Sequence, residues 1–125
     1  MAFSNYLNSN ILDYVFGGES FTPPSEFYVA LYTSETTEVS ASDYERMTIE
    51  FGSATNNEIK NSTEVRFPIA LSDWGEVTHI ALFDAETGGN LLDIDDAESV
   101  HDVKENTRYT IPVDNLTIIL DKCEE

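Results

Sequence analysis

The densest group of ionisable side chains is an acidic run in the second half of the chain, Asp93-Ile94-Asp95-Asp96-Ala97-Glu98. Carboxylate oxygens are the ligands that hard cations such as calcium prefer. In an extended strand Asp93 and Asp95 point to the same side, and Asp96 and Glu98 are expected to follow in a turn. The run lacks the glycine and the ligand spacing of an EF-hand loop, and runs of like charge usually remain in water. The pattern therefore favours a solvated acidic turn, and we assign no metal site.

The two histidines and the single cysteine do not form a recognisable catalytic or zinc-binding pattern. His79 lies inside an apolar run, and a general base needs a nucleophile within reach, yet no Gly-x-Ser-x-Gly elbow surrounds any serine. Cys123 cannot form an intramolecular disulfide, and with His79 and His101 it lacks zinc-ligand spacing. We therefore predict no catalytic residue and no cofactor, and a packed or interface role for His79. A deep polar pocket that gathers His79, Asp84 and Cys123 would instead indicate an enzyme.

Trp74 and two glycosylation sequons each have alternative interpretations. A tryptophan in a loop serves as a carbohydrate platform or an interface anchor, or as a plug that closes one end of a β-sandwich. We favour the plug for Trp74, with Gly75 allowing the turn into the next strand. Asn61-Ser62-Thr63 and Asn115-Leu116-Thr117 match the sequon, and Asn61, in a polar loop, is the more plausible acceptor.

The composition excludes several classes of partner. The chain of 125 residues carries 24 Asp and Glu against 6 Lys and Arg, a net charge of −18. This charge repels phosphate backbones and anionic membrane surfaces, so we expect no nucleic-acid and no membrane partner. The acidic residues are spread along the chain, which favours adaptation to high salt, where charge repulsion is screened. The N-terminus lacks the features of a signal peptide, so we expect synthesis in a cytoplasm.

One helix is predicted, over residues 3–16. Phe3, Leu7, Ile11 and Val15 recur every four residues and form an apolar stripe, which Tyr6, Tyr14 and Phe16 widen. Ser4 is the expected N-cap, and Gly17-Gly18 the C-terminal stop. The stripe is too apolar to face water, so we expect it to contact the sheet and a neighbouring subunit through Phe3, Tyr6, Leu7, Ile11, Tyr14 and Val15.

The rest of the chain predicts strands. Short runs rich in β-branched and aromatic residues alternate with polar loops, two of which, 34–43 and 52–61, are long. The fold class is mainly β: a single domain over 1–125, with an antiparallel β-sandwich of about seven or eight short strands in residues 27–121. The predicted strands are 27–33, 47–51, 65–67, 77–84, 91–94, 99–103, 108–113 and 116–120.

Several stretches resemble one family. The opening Phe3-Ser4-Asn5-Tyr6-Leu7, the stretch Asp73-Trp74-Gly75-Glu76-Val77-Thr78-His79 and the stretch Thr87-Gly88-Gly89-Asn90-Leu91-Leu92 are similar to those of small virion proteins of tailed viruses and prophages, usually labelled tail-fibre-like. The resemblance runs from Phe3 to Leu92. After Leu92 family members are neutral and rich in Gly and Thr, whereas this chain is acidic through Glu105.

The resemblance implies a non-enzymatic virion structural protein, present as a capsid decoration, a turret or a tail-fibre-like appendage. The alternative is a carbohydrate- or receptor-binding module at the virion surface, with Trp74 and the tyrosines as its platform. As partners we expect other virion proteins and further copies of the chain, with a trimer slightly favoured over a pentamer or hexamer. The acidity points to a virus of a salt-loving, haloarchaeal host.

Overall fold

The computed structural model describes residues 2–120, and within them the chain forms one helix and nine strands. The elements in chain order are β1 (Ala2–Phe3), α1 (Asn5–Val15), β2 (Phe27–Tyr32), β3 (Met47–Ile49), β4 (Glu58–Lys60), β5 (Val65–Arg66), β6 (Gly75–Phe83), β7 (Leu91–Val103), β8 (Thr110–Ile111) and β9 (Thr117–Ile119).

Helix α1 is bounded by the capping residues that the sequence predicts. The Ser4 hydroxyl accepts a hydrogen bond from the Leu7 N–H at 3.1 Å, which satisfies a donor that the first turn leaves open. At the other end Gly18 has a φ of +71°, a conformation that glycine adopts without strain, and the Glu19 N–H bonds the Asp13 carbonyl. No helix in the described part of the chain has the length and apolarity that a membrane crossing requires.

The predicted helix was too long at its N-terminus, because Phe3 is a strand residue. Phe3 pairs with Asp93 in the two-residue strand β1, and the Ser4 N–H continues this contact to the Leu92 carbonyl at 2.8 Å. The N-cap residue is extended, with φ −64° and ψ 161°. Phe3 therefore precedes the cap and cannot belong to the helical stripe.

Five strands form an antiparallel sheet in the order β1-β7-β6-β2-β3. Neighbouring side chains of β2 alternate between its faces, so Val29 and Leu31 enter the main core while Ala30 faces the other side with Ala81 and Phe83. This arrangement confirms the prediction of a mainly β, antiparallel fold.

The second layer consists of two short ladders, β5 with β8 and β4 with β9. Val65 and Ile111 of the first ladder share one buried cluster with the core face of the five-stranded sheet, and Phe67 at its centre has no exposed surface. The two layers are consistent with a β-sandwich, in which inward-facing side chains of both layers form the core.

Two strand predictions were wrong in extent. The acidic run was expected to turn, yet residues 91–103 form one strand of 13 residues. Its register on β6 shifts from Val77↔His101 to His79↔Asp96, so the extra residues form a bulge within the strand. The polar segment 52–61 was expected to be a loop, but it contains β4, which gains its partner only from β9 near the end of the chain.

Candidate functional site

Helix α1 and its C-cap leave a group of large apolar side chains exposed to solvent. None of the helix residues is buried, and five large apolar side chains are exposed: Tyr6 in the first turn, Leu12, Tyr14 and Val15 near the end, and Phe16 at the C-cap. Tyr14 is 59% exposed, Val15 60% and Phe16 83%. We call Tyr6, Leu12, Tyr14, Val15 and Phe16 the α1 surface.

The residues predicted for the interface differ in how much of each side chain is exposed to solvent. Leu7 packs against the main core, and Phe3 and Ile11 are half-buried. Tyr6, Tyr14 and Val15 face outward, as a contact with a neighbour requires. Leu12 and Phe16 were outside the predicted set but are exposed as well. The sequence already indicates both residues, because Leu12 flanks the apolar stripe and Phe16 widens it.

The α1 surface also carries little of the protein's charge. Between Asn5 and Val15 the only ionisable acid is Asp13, and there is no lysine or arginine. In a chain of net charge −18, two copies repel each other over most of their surfaces. The electrostatic cost of bringing two copies together is therefore lower at α1 than at the more acidic parts of the chain.

Arg46 joins the long loop before β3 to the turn between β6 and β7. Its Nε and Nη2 donate to the two carboxylate oxygens of Glu38 at 2.9 and 3.0 Å, and Nη1 donates to the carbonyls of Ala85 and Gly88 at 3.0 and 2.9 Å. The guanidinium lies 3.7 Å from the centroid of the Phe83 ring. Arg46 is thus a structural side chain with its donors engaged, and it holds the 34–46 loop in place.

Glu38 completes this network through Tyr44. The Tyr44 hydroxyl donates to Glu38 at 2.7 Å and accepts from the Leu31 N–H at 3.0 Å. Burial acts to raise the pKa of Glu38, but the hydrogen bonds from Arg46 and Tyr44 outweigh it, so this pKa lies below its ordinary value. The Tyr44 pKa is raised, first by burial and then by its bond to Glu38.

Trp74 closes the core, as the plug interpretation predicts. It is 5% exposed and packs edge-on against Tyr44 and Phe67, with ring centroids 5.4 and 6.5 Å away. Its Nε1 donates to Asp43 at 3.0 Å, and the same carboxylate accepts from the Leu71 N–H at 2.6 Å. A tryptophan in this position cannot be a solvent-facing platform for a sugar.

The Asp43 carboxylate is held in its charged form by these donors. The backbone N–H of Leu71 is the main cause, and the Ser72 hydroxyl, at 2.8 Å, and the Trp74 indole add to it, so the pKa of Asp43 falls from 3.8 to about 2. The loop that contains Asp43 is thereby tied to the loop that precedes β6.

The groups that would have indicated an enzyme have separate partners. His79 Nε2 lies 2.9 Å from Asp96, and its Nδ1 lies 2.8 Å from the Thr78 hydroxyl. Asp84 accepts from the backbone and side-chain N–H groups of Asn90 and closes the turn before β7. Cys123 lies outside the described residues. His79 is a packed side chain that pairs across two strands, as the sequence predicts.

The acidic run does not bring its carboxylates to one point. Asp93 is buried, at 1% exposure, whereas Asp96 and Glu98 are exposed on the same strand. Within residues 2–120 no group of three or more His, Cys, Asp or Glu side chains is placed to hold a metal ion.

Asn61 was the more plausible glycosylation acceptor by sequence, and the structure reverses that preference. Its side chain is fully buried, with Nδ2 donating to the carbonyls of Thr63 and Pro112 at 2.7 and 3.0 Å and Oδ1 accepting from the Leu116 N–H at 2.9 Å. Attachment of a glycan would need this amide in water. Asn115, by contrast, is exposed.

Comparison with known proteins identifies a family that the chain matches. A family model described as podophage GP4 fiber I protein gp80 matches residues 2–119, nearly the whole chain. No curated protein matches the sequence significantly.

Proposed function

Because the chain belongs to the family of the podophage GP4 fiber I protein gp80, we propose that it is a non-enzymatic structural subunit of a tailed-virus particle. The match over residues 2–119 is the observation that carries this proposal. The engagement of Arg46, Asp43 and Asn61 in holding loops together also supports a structural role, because polar groups that an enzyme would direct at a substrate are used here within the fold. The chain acts as one domain over residues 1–125 and resides in the virion after synthesis in the host cytoplasm.

The subunit is an oligomer, and its copies meet through the α1 surface. Exposed tyrosine, leucine and valine side chains around α1, with Phe16 at its C-cap, leave apolar area in water, and such exposure marks a contact with another protein. Copies of one chain usually assemble with closed symmetry, so the same surface serves every copy. We place a trimer slightly ahead of a pentamer or hexamer.

The oligomer is tested by measuring the mass in solution. Light scattering after size-exclusion chromatography, in molar salt, is expected to give a multiple of the chain mass of 14.0 kDa. Replacing Val15 and Phe16 by Asp should reduce this mass to that of one chain, because two charges would have to be buried in each contact. Deletion of residues 2–16 should yield a monomeric or insoluble product.

A control pair of substitutions tests whether the oligomer depends on the α1 surface or on any exposed apolar residue. Leu71, in the loop before β6, is 72% exposed, and Val100, on β7, is 59% exposed. Replacing both by Asp adds the same charge elsewhere and should leave the mass unchanged. A native mass of one chain, or equal dissociation by both pairs of substitutions, would refute the α1 contact.

The place in the particle is tested on purified virions. Mass spectrometry of particles separated by density gradient should find the chain at a constant ratio to the major capsid protein. Antibody labelling viewed by electron microscopy then distinguishes a tail-fibre-like appendage from a capsid decoration or turret. Absence from washed particles would contradict the structural role.

We propose that the acidity is an adaptation to salt and that the host is a haloarchaeon. The 24 acidic residues are spread along the chain and lie outside the α1 surface. In concentrated salt, acidic groups spread in this way keep the protein surface hydrated.

The alternative function, a carbohydrate-binding module, loses its main candidate because Trp74 is buried under Tyr44 and Phe67. We therefore place it second.

A further inference from the structure

A groove of about 600 Å³ opens between the two layers beside β7. Residues 95–99 and His101 of β7 form one wall, and residues 109–112 and 114–117 form the other. We call this space the β7 groove. Its lining includes the buried apolar side chains of Ile80, Ile111 and Leu116. Most of the remaining lining residues are polar, so the groove is a mainly polar cleft with buried apolar side chains behind it, and the side chains of an extended segment can enter it.

The backbone of β7 along this groove is open to a further strand. On the outer side of β7, strand β1 pairs only at Asp93 and Ile94. Among the described residues no strand pairs with the outer side of residues 98–103. On the inner side, the register passes from Asp96 to His101, so the four bulged residues between them have no partner on β6. The unpaired outer edge of β7 is therefore a template for strand addition.

The negative charge of the residues that line the β7 groove favours a positively charged occupant. Asp95, Asp96, Glu98 and Asp114 line it, and none of its described lining residues is lysine or arginine. Burial and the charge of Glu98 both raise the pKa of Tyr109 in the opposite wall, so the negative potential reaches across the groove. A second copy of this chain would bring further negative charge to the same place. A cationic segment is complementary to it.

We propose that the β7 groove binds an extended, lysine- or arginine-bearing segment of another protein, which adds as a strand to the open backbone of β7. Alternate side chains of the segment would enter the groove, while the basic side chains would lie against its acidic residues. This surface is separate from the α1 surface. The protein therefore has one face for its own copies and another for a different, basic partner.

The proposal is tested with the intact protein and a synthetic probe. A fluorescent peptide of about eight residues with alternating lysine and threonine is titrated at neutral pH and roughly 0.1 M salt, and binding is followed by anisotropy. A companion peptide carries N-methyl groups on alternate residues. It has the same charge but cannot donate the hydrogen bonds of a sheet, so its affinity should be lower by roughly tenfold or more. Hydrogen exchange should show protection of residues 97–103 by the first peptide only.

Two pairs of substitutions locate the site. Glu98→Gln with Asp114→Asn removes two charges from the groove, and asparagine tolerates the φ of +68° at position 114. Glu19→Gln with Glu86→Gln removes two exposed charges elsewhere. The groove pair should weaken binding roughly fivefold and the control pair less than about twofold. Equal weakening by both pairs, or equal affinity for the N-methylated peptide, would overturn the proposal, since attraction to the net charge would then explain the binding. The oligomer mass, which depends on α1, is expected to remain unchanged throughout.

Discussion

The ion pair of Arg46 and Glu38 should stabilise the fold far more than an ordinary surface pair. The Arg46 side chain is 9% exposed and that of Glu38 25%. Replacing Arg46 by Met removes a bidentate contact and the cation over Phe83, and it leaves the Ala85 and Gly88 carbonyls without their donor. The expected result is a marked loss of stability together with release of the 34–46 loop.

The magnitude follows from these contacts. Hydrogen bonds to charged groups contribute about 1.5–3 kcal/mol each, and a guanidinium over an aromatic ring contributes roughly 0.5–2 kcal/mol. The terms are not additive, and solvent reaches part of Glu38, so we expect a total loss of about 3 kcal/mol for Arg46→Met. For a chain of this length that loss corresponds to a fall in melting temperature of roughly 10 °C.

A double-mutant cycle isolates the pair. Arg46→Met, Glu38→Gln and the double variant are unfolded by urea in molar salt, and the coupling free energy should be about 1.5–2 kcal/mol. Arg66 and Glu64 form a matched control pair, 3.6 Å apart with side chains 60% and 49% exposed. Their coupling should be under about 0.5 kcal/mol. Equal coupling for the two pairs would refute the argument that burial and bidentate geometry make the Arg46 pair strong.

Three further predictions concern a carboxylate, an amide and the net charge. The pKa of Asp43 is about 2 in the folded chain and its ordinary value is 3.8, so its stabilising effect is present above that value and is lost as pH falls through about 2. Asp43→Asn should lower the melting temperature at pH 7 in a thermal scan, with the difference from the native chain vanishing towards pH 2. Asn61→Ala leaves the Leu116 N–H without its acceptor and should cost about 3 kcal/mol in urea unfolding, whereas Asn115→Ala should cost less than about 0.5 kcal/mol. The melting temperature should rise from dilute buffer to molar sodium chloride, because screening relieves the repulsion of a net charge of −18, and a flat curve would remove the salt adaptation.

Local patterns were sufficient for the elements whose signals lie close together in the chain. The Ser4 cap, the apolar repeat and the glycine stop defined α1 to within two residues of its bounds, since a helix is built from contacts three and four residues apart. The apolar, β-rich runs of β2 and β6 predicted the central strands for a similar reason. The sequence also indicated that the sheet would not cover every apolar side chain of this short helix, because it carries so many of them. Tyr14 and Val15 are among those left exposed.

Long-range pairing decided what the local pattern could not. β1 and β4 become strands only because β7 and β9 supply partners about 60 or more positions away, and their own residues carry no distinctive alternation. Asn61 looks like an exposed sequon residue until Pro112 and Leu116 fold over it. The same holds for Arg46, which has its carbonyl partners about 40 positions further on, and for the β7 groove, which exists only where two layers meet. In each case the hydrogen-bond partners, or the walls of the groove, come from segments that are distant in the sequence. Only the folded structure brings these segments together.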